Sequence, residues 1–253
     1  YGLISVIIHE VGHNYFPMIV NSDERQWTWM DEGLNTFVQF LAEQEWEPEY
    51  PSRRGEPAAI VGYMGSSNQV PIMTNSESIL QFGPNAYSKP ATALNILRET
   101  IMGRELFDFA FKEYARRWEF KRPTPADFFR TMEDASGIDL DWFWRGWFYT
   151  TDHVDLALVD IREWTVNTQD PEVEKGRKRD LRDSEPVTLS QELNETLRKR
   201  TDDYPELLDF YNSYDELDVT ERDQKAYKQL LQRLTDEEKA ALHSDRHLYV
   251  LDF

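Results

Sequence analysis

The 253-residue chain contains no cysteine. No disulfide can staple it and no thiolate can bind a metal, so any metal site must be built from histidine and carboxylate. No apolar run approaches the ~20 residues a membrane-spanning helix needs. Basic residues are scarce beside acidic ones: 28 Lys and Arg against 47 Asp and Glu, a formal net charge of −19. That balance argues against nucleic acid or an anionic membrane as partner, since both require a basic face. It favours basic or amine-bearing ligands only weakly, because salt screens long-range attraction. Without cysteine or a readable leader the compartment stays open, a soluble cellular location and an exported one both being compatible. Histidine is also rare, with five in the chain.

Two of those five fall in one short frame, His9-Glu10-Val11-Gly12-His13. On a helix, positions i and i+4 lie one above the other, so His9 and His13 can offer two imidazoles to one ion. Glu10 follows His9 by about 100° of helix rotation, at roughly 3.6 residues per turn. Its carboxylate then lies beside a metal rather than on it. The preceding apolar run Leu3, Ile4, Val6, Ile7, Ile8 predicts a buried helix. Buried imidazoles need partners, and a metal satisfies both.

A catalytic zinc takes three protein ligands and keeps one position open. Eighteen residues separate His13 from Glu32, in Trp29-Met30-Asp31-Glu32-Gly33. Leu34, Phe37, Val38 and Leu41 then recur at helical spacing, which predicts a helix with one apolar face. Glu32 is expected at its N-terminal end, where a negative side chain is favoured. A carboxylate there can be the third ligand.

These segments resemble the aminopeptidase N family of zinc metallopeptidases, part of the gluzincin group. The likeness rests on the His-Glu-x-x-His motif, the eighteen-residue gap and the Trp-x-x-Glu-Gly segment. It extends to Ala86-Tyr87-Ser88-Lys89-Pro90, similar to the family's tyrosine segment, with Pro90 where the family usually has glycine. Proline is tolerated in the first turn of a helix, so the departure is mild. The likeness covers roughly residues 1 to 160.

The resemblance implies one zinc ion held by His9, His13 and Glu32, with Glu10 as general base and Tyr87 as hydrogen-bond donor to the oxyanion. The implied reaction is peptide hydrolysis, most naturally removal of N-terminal residues. A related endopeptidase or other gluzincin hydrolase, and a non-catalytic zinc-bearing scaffold, remain the alternatives. Asp31 is a candidate partner for the second nitrogen of His13, and Lys89 reads as a surface or packing residue near the site. The family's upstream Gly-x-Met-Glu-Asn segment, whose glutamate holds the substrate's amino group, has no counterpart here. The chain is therefore expected to be part of a larger polypeptide, with peptides and the missing upstream part as partners.

The fold expected is mainly α: the helical part of a thermolysin-like catalytic domain, a short β segment, then a further helical region. Residues 1–150 are expected as the zinc-bearing domain and 151–253 as a strand, a charged connection and helices. Residues 47–84 read as a long loop with at most a short helix. Thr124-Pro125 opens a helix ending near Gly137. Asp141 to Tyr149 is an aromatic cluster, by default core and alternatively a ligand platform. Near-alternation over 154–166 predicts one strand, and 167–186 an exposed connection. Thr188-x-x-Gln191 and Thr235-x-x-Glu238 are capping boxes. His243 and His247 read as a solvated helix pair, His153 as structural, and residues 247–253 as a strand.

Overall fold

In a computed structural model of the chain, residues 1–52, 54–153, 163–243 and 247–249 are described. The fold is mainly helical. The chain divides into two compact units, Tyr1–Val154 with Thr188–Leu207 and Asp155–Val187 with Leu208–Phe253. No described helix is long and apolar enough to cross a membrane.

The first unit opens on α1, Gly2–Gly12. It packs along α2, Leu34–Trp46, which continues directly from a π-helical turn at Trp29–Gly33. After α3, Pro57–Met64, a second π-helical turn at Gly83–Ser88 runs into α4, Lys89–Ile96. α5, Arg104–Trp118, and α6, Pro125–Ser136, form the closest-packed helix pair.

The α5–α6 pair shows how sequence dictates the element. Phe107, Ala110 and Tyr114 recur at helical spacing and are all buried. Thr124 caps α6 through a reciprocal box with Asp127, Pro125 takes the first turn, and Gly137 ends it at φ 70°. Phe128 and Met132 then complete an aromatic core with Trp29, Phe37, Phe107, Phe143 and Phe148. Trp29 stacks on Phe129 at 5.8 Å and meets Phe148 edge-on at 4.8 Å. Each such side chain contributes about 1.5–3 kcal/mol by burial. Within the cluster at Asp141–Tyr149, Phe143, Trp144 and Phe148 are core, while Trp142 and Tyr149 are exposed. Thr188–Leu207 belongs to this unit because Asn194 bridges Gln44 and Arg104, at 3.0 and 2.8 Å, and Lys199 reaches Glu47.

Three expectations are corrected. α1 is not a buried helix: Leu3, Val6, Ile7 and Val11 are 53–74% exposed and His9 is its buried residue. The apolar run spans more of the helix circumference than α2 covers. The connection at 167–186 is largely a helix, Pro171–Ser184. Its apolar periodicity is absent because no residue is buried. It is held instead by the Asp170 cap, Pro171 in the first turn and local pairs such as Glu174–Arg177. His243 and His247 do not share a helix: the helix ends at Leu242, His243 accepts or donates a hydrogen bond with Tyr227 at 2.9 Å, and His247 opens a strand.

In the second unit, Glu163–Thr165 pairs antiparallel with His247–Tyr249, Trp164 facing Leu248 in register. The rest of the expected strand, 154–162, and the chain end at 250–253 lie outside the described residues. The boxes at Thr188 and Thr235 both form. The helix that Thr188 opens, however, leaves Leu189 and Leu193 substantially exposed.

Candidate metal centre

α1 and α2 are fastened together at the histidine motif. The Asn35 side-chain amide donates to the His9 carbonyl at 2.8 Å. A Cβ added at Gly12 would lie 2.1 Å from the Asn35 Oδ1, so a side chain at that position must displace the Asn35 amide that ties the two helices together. His13 follows the last residue of α1 but keeps helical angles, φ −61° and ψ −18°, so the i, i+4 relation holds. The two imidazoles meet edge-on at 4.6 Å.

Each ring is oriented by an acceptor on its outer nitrogen. His9 Nδ1 donates to the Gln39 Oε1 at 2.8 Å. That amide is itself oriented, because its nitrogen donates to Glu43 at 2.7 Å. His13 Nδ1 donates to the Phe16 carbonyl at 2.9 Å. The Asp31 carboxylate lies 3.2 Å from the same nitrogen. With both protons on Nδ1, neutral rings turn bare Nε2 lone pairs inward.

Glu32 closes the triangle from the π-helical turn before α2. Its Oε2 is 3.1 Å from His9 Nε2 and 3.3 Å from His13 Nε2. The His9, His13 and Glu32 ligand atoms all lie within 4.8 Å of one another. Three lone-pair donors at this spacing repel unless protons or a cation stand between them. Zinc–ligand bonds of 2.0–2.1 Å in a tetrahedron give ligand separations of about 3.4 Å, close to those observed. The donor set therefore fits one zinc ion with a position to spare.

The protonation behaviour follows the same geometry. Burial pulls the His9 imidazole down, but hydrogen bonds to Glu32 and Gln39 outweigh it and raise it overall. Burial pushes Glu32 up, and the His9 and Tyr87 hydrogen bonds with the charge of His13 hold it below its ordinary value. Asp31 is raised, first by burial and then by the neighbouring Glu32 charge.

Tyr87 sits in the second π-helical turn, just before α4. Its hydroxyl donates to Glu32 Oε1 at 2.6 Å and its ring stacks on His9 at 5.7 Å. Burial and the Glu32 carboxylate together raise its pKa. Glu10 is exposed on α1 and forms no hydrogen bond or ion pair among the described residues. Lys89, read from sequence as a surface or packing residue, is fully buried, and burial draws it down to about 8. Its Nζ donates one long hydrogen bond among the described residues, 3.4 Å to the Gln69 Oε1.

Sequence reasoning passed over Asn35, Gln39 and the Phe16 carbonyl. A signal existed for Gln39. It lies seven residues after Glu32, two helical turns along the same face, and is polar there. None marked the Phe16 carbonyl, since a backbone acceptor carries no residue signature.

Residues 2–147 match the peptidase family M1 domain. This chain belongs to peptidase family M1. Among curated proteins the M1 chain resembles the glutamyl aminopeptidase of Sus scrofa, 28% identical over 62% of this chain and 18% of the relative. It resembles the alanine/arginine aminopeptidase of Saccharomyces cerevisiae at 24% identity, over 62% of this chain and 19% of the relative. The M1 chain thus spans under a fifth of the length of these relatives. Among solved structures, an M1 zinc metallopeptidase from Deinococcus radiodurans, a mutant bound to a Tyr-Ser-Ala substrate, shares the fold. Its TM-score is 0.50 at 20% identity, over 60% of this chain and 34% of that one.

Proposed function

We propose that this M1 chain is the catalytic segment of a zinc aminopeptidase, with His9, His13 and Glu32 as the ligands of one ion. The observation that carries the reading is the convergence of two inward-facing Nε2 atoms and one carboxylate oxygen at tetrahedral spacing. Bound zinc would polarise a peptide carbonyl and lower the pKa of water.

The chain's own residues supply the remaining chemistry. Glu10, one residue after His9 and without a hydrogen-bond or ion-pair partner among the described residues, takes a proton from the attacking water and passes it to the leaving amine. The Tyr87 hydroxyl, held beside Glu32, donates a hydrogen bond to the oxyanion that develops on the scissile carbonyl. Gln39 and the Phe16 carbonyl keep both imidazoles in the Nδ1–H form, so that Nε2 stays available. Asp31 adds a carboxylate beside His13. The open apolar face of α1 suits cover by a further part of the same polypeptide.

The test uses the full-length protein. Hydrolysis of an unblocked tripeptide is expected to vanish on chelation, to return with about one equivalent of zinc, and to be absent on the N-acetylated peptide. Equal cleavage of the acetylated peptide would favour an endopeptidase. No zinc-dependent cleavage of either would overturn the hydrolase reading. Tyr87→Phe is expected to lower kcat by about 10²–10³-fold, the usual effect of removing one oxyanion donor. Zinc content should be retained, and steady-state kinetics beside metal analysis separates the two effects.

A further inference from the structure

Arg54 has no role in the chemistry above, yet it stands against it. Its guanidinium lies over the Tyr87 ring, 4.4 Å from the centroid. Its charge is felt at both Tyr87 and His9. Among the described residues it forms no ion pair. Nor does any described residue engage its N–H donors in a hydrogen bond, and guanidinium donors match a carboxylate two at a time.

The side chain is mounted on a fixed support. The next residue, Gly55, is buried at φ +100°, and a Cβ there would meet the Phe40 ring at 2.6 Å. The Asn95 amide, itself 2% exposed, donates to the Gly55 carbonyl at 3.1 Å. The backbone at 55 is therefore clamped between α2 and α4, the two helices that follow Glu32 and Tyr87. A free surface arginine would need no such anchor.

Resting on the peptidase reading, we propose that Arg54 is a specificity-determining residue that binds a carboxylate of the peptide substrate. The reacting carbonyl must lie between the metal ligands and the Tyr87 hydroxyl. A cation over that tyrosine's ring is then within one or two residues of the scissile bond. The carboxylate is either an acidic side chain at that distance or the free C-terminus of a short peptide. The chain as a whole, at −19, repels such a group. Glu10 and Asp31 do so locally, and Arg54 is a side-chain cation over Tyr87 that offsets them.

The experiment measures binding, so that it does not depend on turnover. In the zinc-loaded full polypeptide carrying Glu10→Gln, calorimetry compares two matched pairs. The first is Ala-Ala-Ala against its C-terminal amide. The second is Glu-Ala-Ala-amide against Gln-Ala-Ala-amide. At least one carboxylate-bearing member is expected to bind about tenfold or more tightly than its partner. Arg54→Gln should bring that ratio close to one, and Arg54→Lys should keep part of it. The pair that separates identifies the source of the carboxylate. Ratios near one in the parent, or ratios untouched by Arg54→Gln, overturn the role of Arg54 and leave the peptidase reading standing. No binding of any of these peptides overturns both.

Discussion

Replacing His9 by alanine is expected to abolish stoichiometric zinc binding and, with it, peptide hydrolysis. The Nε2 of His9 is one of the three inward donors, 3.1 Å from Glu32 Oε2. Loss of a partner that merely orients a ligand costs about 10–100-fold in metal affinity, and loss of the ligand itself should exceed the top of that range. Glu32→Ala should behave alike, since it removes the carboxylate oxygen that faces both Nε2 atoms. The fold should survive both, because the aromatic core lies around Trp29, Phe107 and Phe128 rather than at the site. Zinc titration by calorimetry, with circular dichroism as a check on folding, decides the matter. One tightly held zinc in either variant would show that the ligand set is wrong.

Replacing Glu10 by glutamine should leave zinc content and Tm unchanged and lower kcat by about 10²–10⁴-fold, the usual worth of a positioned general base. The prediction separates cleanly from the first because Glu10 is exposed and forms no hydrogen bond or ion pair among the described residues. Glutamine keeps the shape and loses only the ability to accept a proton. Metal analysis, thermal unfolding and steady-state kinetics on one preparation suffice. A kcat within tenfold of the parent, with zinc in place, would remove Glu10 from the mechanism and favour a non-catalytic role for the metal.

The pairing of His9 with His13 was legible because it is local. Four residues of helix bring His9 and His13 into line, and no tertiary contact is needed to see it. Glu32 was placed at a helix start by the apolar periodicity that follows it, and Tyr87 was reached through family likeness. Both lie in π-helical turns, at Trp29–Gly33 and Gly83–Ser88, each running straight into an α-helix. Such wide turns are common at functional sites and carry no 3.6-residue signature. The helix at Pro171–Ser184 was illegible for a different reason. It buries nothing, so the apolar periodicity that reveals helices is missing, and only its Asp170-Pro171 start marks it.

Residue order alone therefore determined the helix that carries His9, Glu10 and His13, the capped start of α6 and the absence of any thiolate. These depend on neighbours within about one turn, or on composition. What only the tertiary structure decided depends on residues far apart in the chain. Asn35 fills the space that Gly12 leaves open. Gln39 and the Phe16 carbonyl choose the tautomer of each histidine. Asn194 ties Thr188–Leu207 to the first unit. Gly55 and Asn95 bring Arg54 over Tyr87. Contacts of this kind arise from packing two surfaces together, and packing has no period for a sequence to display.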